Sequence, residues 1–156
     1  MAGRLQTEIK QRKPFRTLEQ EAFLNLLRTT DALLRGQAKV LKSAGLSHPQ
    51  YNVLRILRGA GPNGLACRDV CERMITRDPD VTRLLDRLEA HGLIARERIK
   101  KDRRVVMVRI TEGGLRLLRR LDDPIVHLHT QNLGHLGTKR LQALIQLLEL
   151  TREKTA

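Results

Sequence analysis

Aromatic residues are almost absent from this chain of 156 residues, which has no tryptophan, one tyrosine and two phenylalanines. Proteins that bind single strands or splayed RNA bases stack those bases on several exposed aromatic side chains. Phe15, Phe23 and Tyr51 are too few to form such a platform. The scarcity of aromatic residues therefore argues against recognition of single-stranded nucleic acid.

Cysteine is also scarce, because Cys67 and Cys71 are the whole set. Two cysteines this close together cannot provide the framework of a secreted, disulfide-rich fold. No apolar run approaches the roughly 20 residues that a membrane span needs, and residues 1–13 lack the apolar core of a signal peptide. We therefore expect a soluble cytoplasmic protein that has no membrane as a partner.

Motifs for catalysis and for metal binding are missing as well. The break at Gly59–Gly64 has no phosphate-loop pattern, and Ser43 and Ser47 stand in no catalytic context. His127 and His129 are two apart on a predicted helix and so point to different faces, and no Cys/His spacing resembles a closed zinc site. We therefore expect a protein that is not an enzyme and has no cofactor and no metal.

Negative charge is in short supply: 30 Lys and Arg against 17 Asp and Glu give a net charge of +13 and a pI near 11.0. Such an excess is self-repulsive in a folded domain unless a polyanion neutralises it. Nucleic acid is the first candidate partner and an anionic membrane surface the second. A basic protein without a polyanionic partner is the remaining interpretation, and the position of the charges has to decide.

Apolar residues recur at helical spacing over most of the chain. Thr17 is expected to cap a long first helix, Asp78 and Pro79 to open the fourth helix as N-cap and first residue, and Pro124 to kink or interrupt the fifth. The predicted helices cover about residues 18–44, 47–58, 67–74, 79–91, 112–135 and 138–153.

The period changes from helical to alternating between the fourth and fifth predicted helices. Ile94–Ile99 and Val105–Ile110 are predicted strands, and Lys100–Arg104 is the predicted connection. The fold class is therefore mainly α with a small β-hairpin: a winged helix-turn-helix DNA-binding domain flanked by dimerisation helices. The predicted parts are a basic, mobile or partly helical arm (1–16), an N-terminal dimerisation helix (17–46), the winged domain (47–111) and C-terminal dimerisation helices (112–156).

The polar face of the predicted helix 79–91 is basic. The second helix of a helix-turn-helix enters the major groove with its N-terminal residues nearest the bases. Arginine can bind guanine O6 and N7, and threonine can contact a phosphate or a thymine methyl group. The expected contact residues of this helix are Arg77, Thr82, Arg83 and Arg87. The alternative is a solvated basic face without a nucleic-acid partner.

The predicted hairpin carries seven basic residues from Arg96 to Arg109, opposed only by Glu97 and Asp102. An arginine at such a tip can enter a narrow minor groove, where negative potential is concentrated. The carboxylate of Asp102 is repelled by phosphate, so its expected role is to pair with Arg104 and hold the tip. The expected wing residues are Arg98, Lys100, Lys101, Asp102, Arg103 and Arg104. A plain solvated turn is the alternative.

Three stretches together resemble the MarR family of winged helix-turn-helix regulators: Gly45–Leu54, Val81–Leu93 and Lys101–Gly113. The last is similar to the wing signature of that family, an Asp-x-Arg followed by an alternating strand and then Thr-x-x-Gly. The resemblance covers about residues 17–153. It matches Asp102 and Arg104 with the wing pair of the family, and Thr82 and Arg83 with its recognition helix.

The resemblance implies a homodimer with interlocking terminal helices that binds a pseudo-palindromic duplex as a transcriptional regulator, commonly a repressor. It implies release of the DNA by a small molecule or an oxidant. The expected effector pocket lies between the long helix and the helices near 47–58 and 112–135, and would be aliphatic here. Two alternatives stay open: a winged-helix module that binds protein or RNA, and a non-specific architectural DNA-binding protein.

Two local features need separate interpretation. Asp80 departs from many recognition-helix starts in the family, because a carboxylate there disfavours some base contacts or accepts from a cytosine amine. Cys67 lies near a predicted helix start, where the helix dipole could lower its pKa, so it is a candidate redox thiol. Its alternative role is structural filling, which is also what we expect of Cys71 at a core position.

Overall fold

Residues 3–155 are described by a computed structural model, and within this range the chain forms seven α-helices and three β-strands. Residues 1–2 of the predicted arm and residue 156 of the predicted C-terminal part lie outside the described residues. No helix in the described range is both long and apolar enough to cross a bilayer. The elements are α1 (Arg4–Glu8), α2 (Leu18–Lys42), α3 (His48–Ala60), β1 (Leu65–Ala66), α4 (Cys67–Arg73), α5 (Val81–Ala90), β2 (Ile94–Ile99), β3 (Asp102–Ile110), α6 (Glu112–Leu133), a 3-10 turn (Gly134–Leu136) and α7 (Gly137–Glu153).

The chain divides into two compact units, one ending at Gly36 and the other beginning at Gln37. The first unit contains α1 and most of α2. Its predicted arm is partly helical, and Glu8 of α1 forms an ion pair with Arg28 of α2 at 2.9 Å between Oε2 and Nε. Thr17 caps α2 as predicted, because the backbone N–H of Gln20 donates to its hydroxyl at 3.2 Å.

The hydrophobic core of the second unit is built from the end of α2, from α3, α4, α5 and α6, and from the sheet. Ser47 begins α3 with a capping box: the Gln50 N–H donates to the Ser47 hydroxyl, and the Ser47 N–H donates to the Gln50 side chain. The apolar faces predicted for these helices converge on one cluster. Its most deeply buried members are Leu41, Val53, Leu54, Leu57, Val70, Leu85, Leu88, Val108, Leu118 and Ile125.

The sheet has three antiparallel strands in the order β1-β3-β2. Strand β1 was not predicted, because its two residues are too few to show alternation. Strand β3 begins at Asp102, so the predicted connection over Lys100–Arg104 is wrong and only Lys100 and Lys101 form the turn. The pairing of β2 with β3 continues beyond the β-branched residues of β3 as far as Asp102. Glu97 and Arg98 of β2 and residues 102–104 of β3 are exposed at this end, so charged side chains can occupy paired positions there.

The wing is anchored to the start of α6 by Thr111. Its hydroxyl accepts from the Gly114 N–H at 3.1 Å and donates to the Gly92 carbonyl at 2.6 Å. Gly114 packs so closely that an added Cβ would lie 2.4 Å from the Leu93 carbonyl oxygen. The Thr-x-x-Gly pattern is therefore a joint between the hairpin and α6.

Pro124 lies inside α6, which runs without interruption from Glu112 to Leu133. The predicted interruption at this proline is therefore wrong. The helix tolerates the missing N–H because the flanking turns pack Leu121 and Ile125 into the core.

Gly64 should be intolerant of a side chain. It has a φ of +70°, and a Cβ there would lie 2.3 Å from the Val108 carbonyl oxygen in β3. We expect Gly64→Ala to lower the free energy of unfolding by about 2–4 kcal/mol, from overpacking and left-handed backbone strain. Urea denaturation measures this. Gly59→Ala is the control, because nothing lies within 4 Å of its Cβ position and the change should stabilise α3 by up to about 1 kcal/mol. Equal stability of the two variants would contradict the packing described.

Candidate nucleic-acid interface

Helices α4 and α5 and the turn between them form a helix-turn-helix. Helix α4 ends at Arg73, and its C-cap residue Met74 is extended, with φ −65° and ψ 137°. The Asn52 side chain in α3 accepts a hydrogen bond from the Ile75 N–H at 2.8 Å. The turn is therefore fixed to the scaffold by a side chain from a third helix.

Asp80 caps α5, because its carboxylate accepts from the Arg83 N–H at 3.1 Å. The prediction that Asp78 is the N-cap and Pro79 the first helical residue is wrong. The Asp78 carboxylate instead accepts from the Asp80 N–H at 2.8 Å, a local turn that leaves α5 to begin at Val81. Capping accounts for an acidic residue at the start of this basic helix.

Helix α5 separates its apolar and basic residues on opposite faces. Leu84, Leu85 and Leu88 are buried, whereas the predicted contact residues point to solvent. None of the three arginines among them forms an ion pair with any residue of the described chain. The exposed residues are Arg77, Thr82, Arg83 and Arg87. Their side chains are therefore available to an anionic partner.

The hairpin presents a second group of exposed cations. Within residues 3–155 none of them has a carboxylate partner. They are Arg98, Lys100, Lys101, Arg103 and Arg104. Asp102 holds the tip, as expected, but through the backbone: its carboxylate accepts from the Arg104 N–H at 3.0 Å, and the predicted pairing with the Arg104 side chain is not formed. A short aspartate side chain reaches the N–H two residues on more readily than a distant guanidinium.

Two of the seven hairpin cations are neutralised within the chain. The Arg96 guanidinium donates from Nη2 to Asp86 and Glu89 of α5 at 2.6 Å each, and from Nε to Glu89 at 3.0 Å. Arg109 lies 3.7 Å from Glu97. The hydrogen bonds from Arg96 lower the pKa of Glu89 below its usual value.

The role of Arg96 could not be read from the hairpin alone. Asp86 and Glu89 are spaced to share one helix face, and Arg96 follows them closely in sequence. That spacing indicates an ion pair between the helix and the strand, which a count of the hairpin charges alone does not show. Its consequence is that strand β2 and helix α5 present their free cations from one rigid body.

The cysteines occupy positions different from those expected. Cys71 is exposed, so its predicted core position is wrong: Val70 is the residue of α4 that is fully buried. Cys67 is half-buried against the core, and burial raises the pKa of its thiol, with a further contribution from the nearby Cys71. The predicted lowering of this pKa is therefore wrong, because burial disfavours the charged thiolate.

A helix-turn-helix followed by an antiparallel hairpin, with exposed cations on both, defines a winged helix-turn-helix protein. The sequence model of the MarR family matches residues 46–106. The uncharacterized HTH-type transcriptional regulator YfiV of Bacillus subtilis is 36% identical over 118 residues, which are 69% of this chain and 67% of that protein.

Two further comparisons agree with this assignment. The crystal structure of a MarR transcription factor from Planctomyces limnophilus is 43% identical, with a TM-score of 0.69, and the match covers 87% of this chain and 98% of that chain. The homoprotocatechuate degradative operon repressor of Escherichia coli is 27% identical over 80% of this chain and 82% of its own. The chain belongs to the MarR family of transcriptional regulators.

Removal of the Arg96 guanidinium should loosen the wing. We expect Arg96→Gln to lower the free energy of unfolding by about 1–2 kcal/mol at neutral pH, because Asp86 and Glu89 lose a charged hydrogen-bond donor. The pKa of Glu89 is depressed in the folded protein, so this stabilisation is present above its unfolded pKa and is lost as the pH falls. The difference from the wild type should therefore be constant down to about pH 4 and shrink as the pH falls below that value.

Urea denaturation at several pH values measures this difference. Arg98→Gln, at an exposed and unpaired cation of the same strand, is the control and should change stability by less than about 0.5 kcal/mol. An Arg96→Gln effect that does not change with pH would show that the carboxylates are not its partners.

Proposed function

We propose that this regulator is a repressor that binds a pseudo-palindromic duplex operator as a homodimer, using α5 and the hairpin of each protomer. The observation that carries the proposal is the set of exposed, unpaired cations on α5 and the hairpin. The hydrogen bonds of Arg96 to Asp86 and Glu89 hold these two elements together. Phosphates supply the missing negative charge, and such contacts dominate affinity for duplex DNA.

The two elements have different roles in the proposed complex. Thr82 and Arg83 lie in the first turn of α5, the part of a recognition helix nearest the bases, Arg77 lies in the turn before the helix, and Arg87 lies one turn further along. The hairpin carries Arg104 and its neighbouring exposed cations, to which we assign contacts with phosphates or with a narrow minor groove. Base reading is thus assigned to α5, and backbone and groove-shape contacts to the wing.

The terminal helices supply the argument for a dimer. Helix α7 has no buried residue in the protomer, and Ile145, Leu147 and Leu150 are each more than half exposed. On α2, Leu18 and Phe23 are likewise exposed. Apolar faces of this extent mark an interaction surface, and a second copy of the chain fits a two-fold symmetric operator.

Repression and effector binding complete the proposal. The relative from Escherichia coli carries the name of an operon repressor, which supports the repressor role. A cavity of about 110 Å³ lies where α6 meets the end of α2, within the second unit, and an effector there would act next to the helix that follows the wing. It is mostly aliphatic, with one guanidinium to attract an anionic group. Its lining is Val40, Ser43, Ala44, Leu117, Arg120, Leu121 and Pro124.

Arginine substitutions should separate the two kinds of DNA contact. We expect Arg83→Ala to weaken operator binding by about 1–3 kcal/mol and to relax base preference at one position of each half-site. Arg104→Ala should weaken binding to all duplexes alike and reduce the slope of log affinity against log salt by about 1 per protomer. Fluorescence anisotropy with the protein's own promoter region and a scrambled duplex, at several salt concentrations, measures both.

Arg119→Ala is the matched control, because its guanidinium already pairs within α6 with Glu112 at 2.6 Å. It should leave affinity unchanged. Equal affinity of the wild type for promoter and scrambled DNA would favour a non-specific architectural protein. Preference for structured RNA over duplex DNA in competition would favour the RNA-binding alternative.

A charge on α7 should dissociate the proposed dimer. Leu147 is 62% exposed in the protomer, so Leu147→Glu should destabilise the dimer and leave the core of the second unit intact. We expect sedimentation equilibrium to show a monomer, and operator affinity to fall because the two half-sites are no longer bound together. Gln146→Glu adds the same charge at a polar position and should remain a dimer. A wild-type protein that is monomeric at micromolar concentration would overturn this part of the proposal.

A further inference from the structure

The turn between α4 and α5 exposes one large apolar side chain. Ile75 is 86% exposed, which is more than any other large apolar side chain of residues 3–155. The other exposed ones lie on α2, α6 and α7 or directly after α1. Ile75 is therefore the single large apolar side chain that the winged domain, as far as it is described, leaves in solvent.

Ile75 points to solvent because its neighbour points inward. Met74 ends α4 in an extended conformation and packs against the hydrophobic core. Successive side chains of an extended segment point in opposite directions, so the burial of Met74 directs Ile75 outward. The Asn52 side chain accepts from the Ile75 N–H at 2.8 Å, which fixes the backbone at this position. The exposure of Ile75 is therefore a fixed feature of the turn.

Cations flank this apolar side chain. Arg73 and Arg77 are exposed, and neither forms an ion pair within the described part of the chain. A second copy of the chain, with a net charge of +13, would bring like charges against this position, and such an arrangement is repulsive. A partner that offers both phosphates and an apolar group fits better. Duplex DNA is such a partner.

We propose that Ile75 is a specificity-determining residue that contacts the 5-methyl group of one thymine in each half-site. The inference rests on the proposed function and extends base reading from α5 to the turn before it. In a helix-turn-helix the first helix crosses the DNA backbone and the start of the second is nearest the bases, so the turn that joins them passes from the backbone to the major groove. The thymine methyl is the apolar group that base pairs present in that groove.

Deoxyuridine isolates this contact from all others. It pairs with adenine and presents the same O4 acceptor as thymine, and it lacks only the methyl group. Loss of one buried methyl group corresponds to about a fourfold change in affinity. Arginine contacts with phosphate or with guanine do not depend on that methyl group, so a response to deoxyuridine reports an apolar contact.

The experiment is a double-mutant cycle between protein and DNA. Footprinting on the protein's own promoter region locates the operator, and the thymines of one half-site are then replaced by deoxyuridine one at a time. Fluorescence anisotropy measures the affinity of the wild type, Ile75→Ala and Ile75→Val for each duplex. We expect one position at which deoxyuridine weakens wild-type binding about fourfold and leaves the affinity of Ile75→Ala unchanged. Ile75→Val keeps a branched apolar side chain and should retain most of the wild-type response.

Val126→Ala is the matched control, because it shortens an exposed apolar side chain on α6. It should show the same response to deoxyuridine as the wild type. The urea midpoint of Ile75→Ala should equal that of the wild type, because the side chain lies outside the hydrophobic core and the hydrogen bond to Asn52 comes from the backbone. A loss of DNA affinity in this variant would then not arise from unfolding.

Two outcomes would overturn the inference alone. The first is an Ile75→Ala protein that binds the operator as tightly as the wild type does. The second is an Ile75→Ala protein that loses the same factor of affinity on thymine and deoxyuridine duplexes at every position, which would place Ile75 against the DNA backbone. Equal binding of promoter and scrambled DNA by the wild type would instead contradict the proposed function, and this inference with it.

Discussion

The DNA-binding surface depends on the hydrogen bonds that the Arg96 guanidinium donates to Asp86 and Glu89. An isolated two-stranded hairpin is marginal in water, and its outer half here is exposed on both faces. Three charged hydrogen bonds to α5, together with the short third strand β1, make the hairpin part of the same body as the recognition helix. Without that connection the cations of the wing and of α5 would not face one partner in a fixed arrangement.

The acidic residues near this surface organise it instead of opposing its charge. The carboxylate of Asp80 caps α5, that of Asp102 orders the hairpin tip, and those of Asp86 and Glu89 hold Arg96. Each is engaged in an internal contact, whereas the exposed cations are not. The surface therefore keeps its positive potential although the local sequence contains carboxylates, which is the condition for binding a phosphate backbone.

The winged domain is joined to the helix that follows it by a bidentate ion pair. Nη1 and Nη2 of Arg58 in α3 donate to Asp122 in α6, at 2.8 Å each, and this contact lowers the pKa of Asp122. The proposed effector cavity lies on the same helix, with Leu121 and Pro124 in its lining. A change in the position of α6 would therefore be transmitted to α3, whose Asn52 holds the turn before the recognition helix.

Local pattern by itself determined most helices, the cap at Thr17, the two long strands and the basic character of α5 and the hairpin. Periodicity and capping are properties of neighbouring residues, so they can be read from the sequence. The tertiary structure decided which of two aspartates caps α5, which hairpin arginine is bound internally, that Cys71 is exposed and that a two-residue strand completes the sheet. Those outcomes depend on distances between elements far apart in sequence, and on the rotation of each helix about its axis, which a periodic pattern fixes only to within a residue.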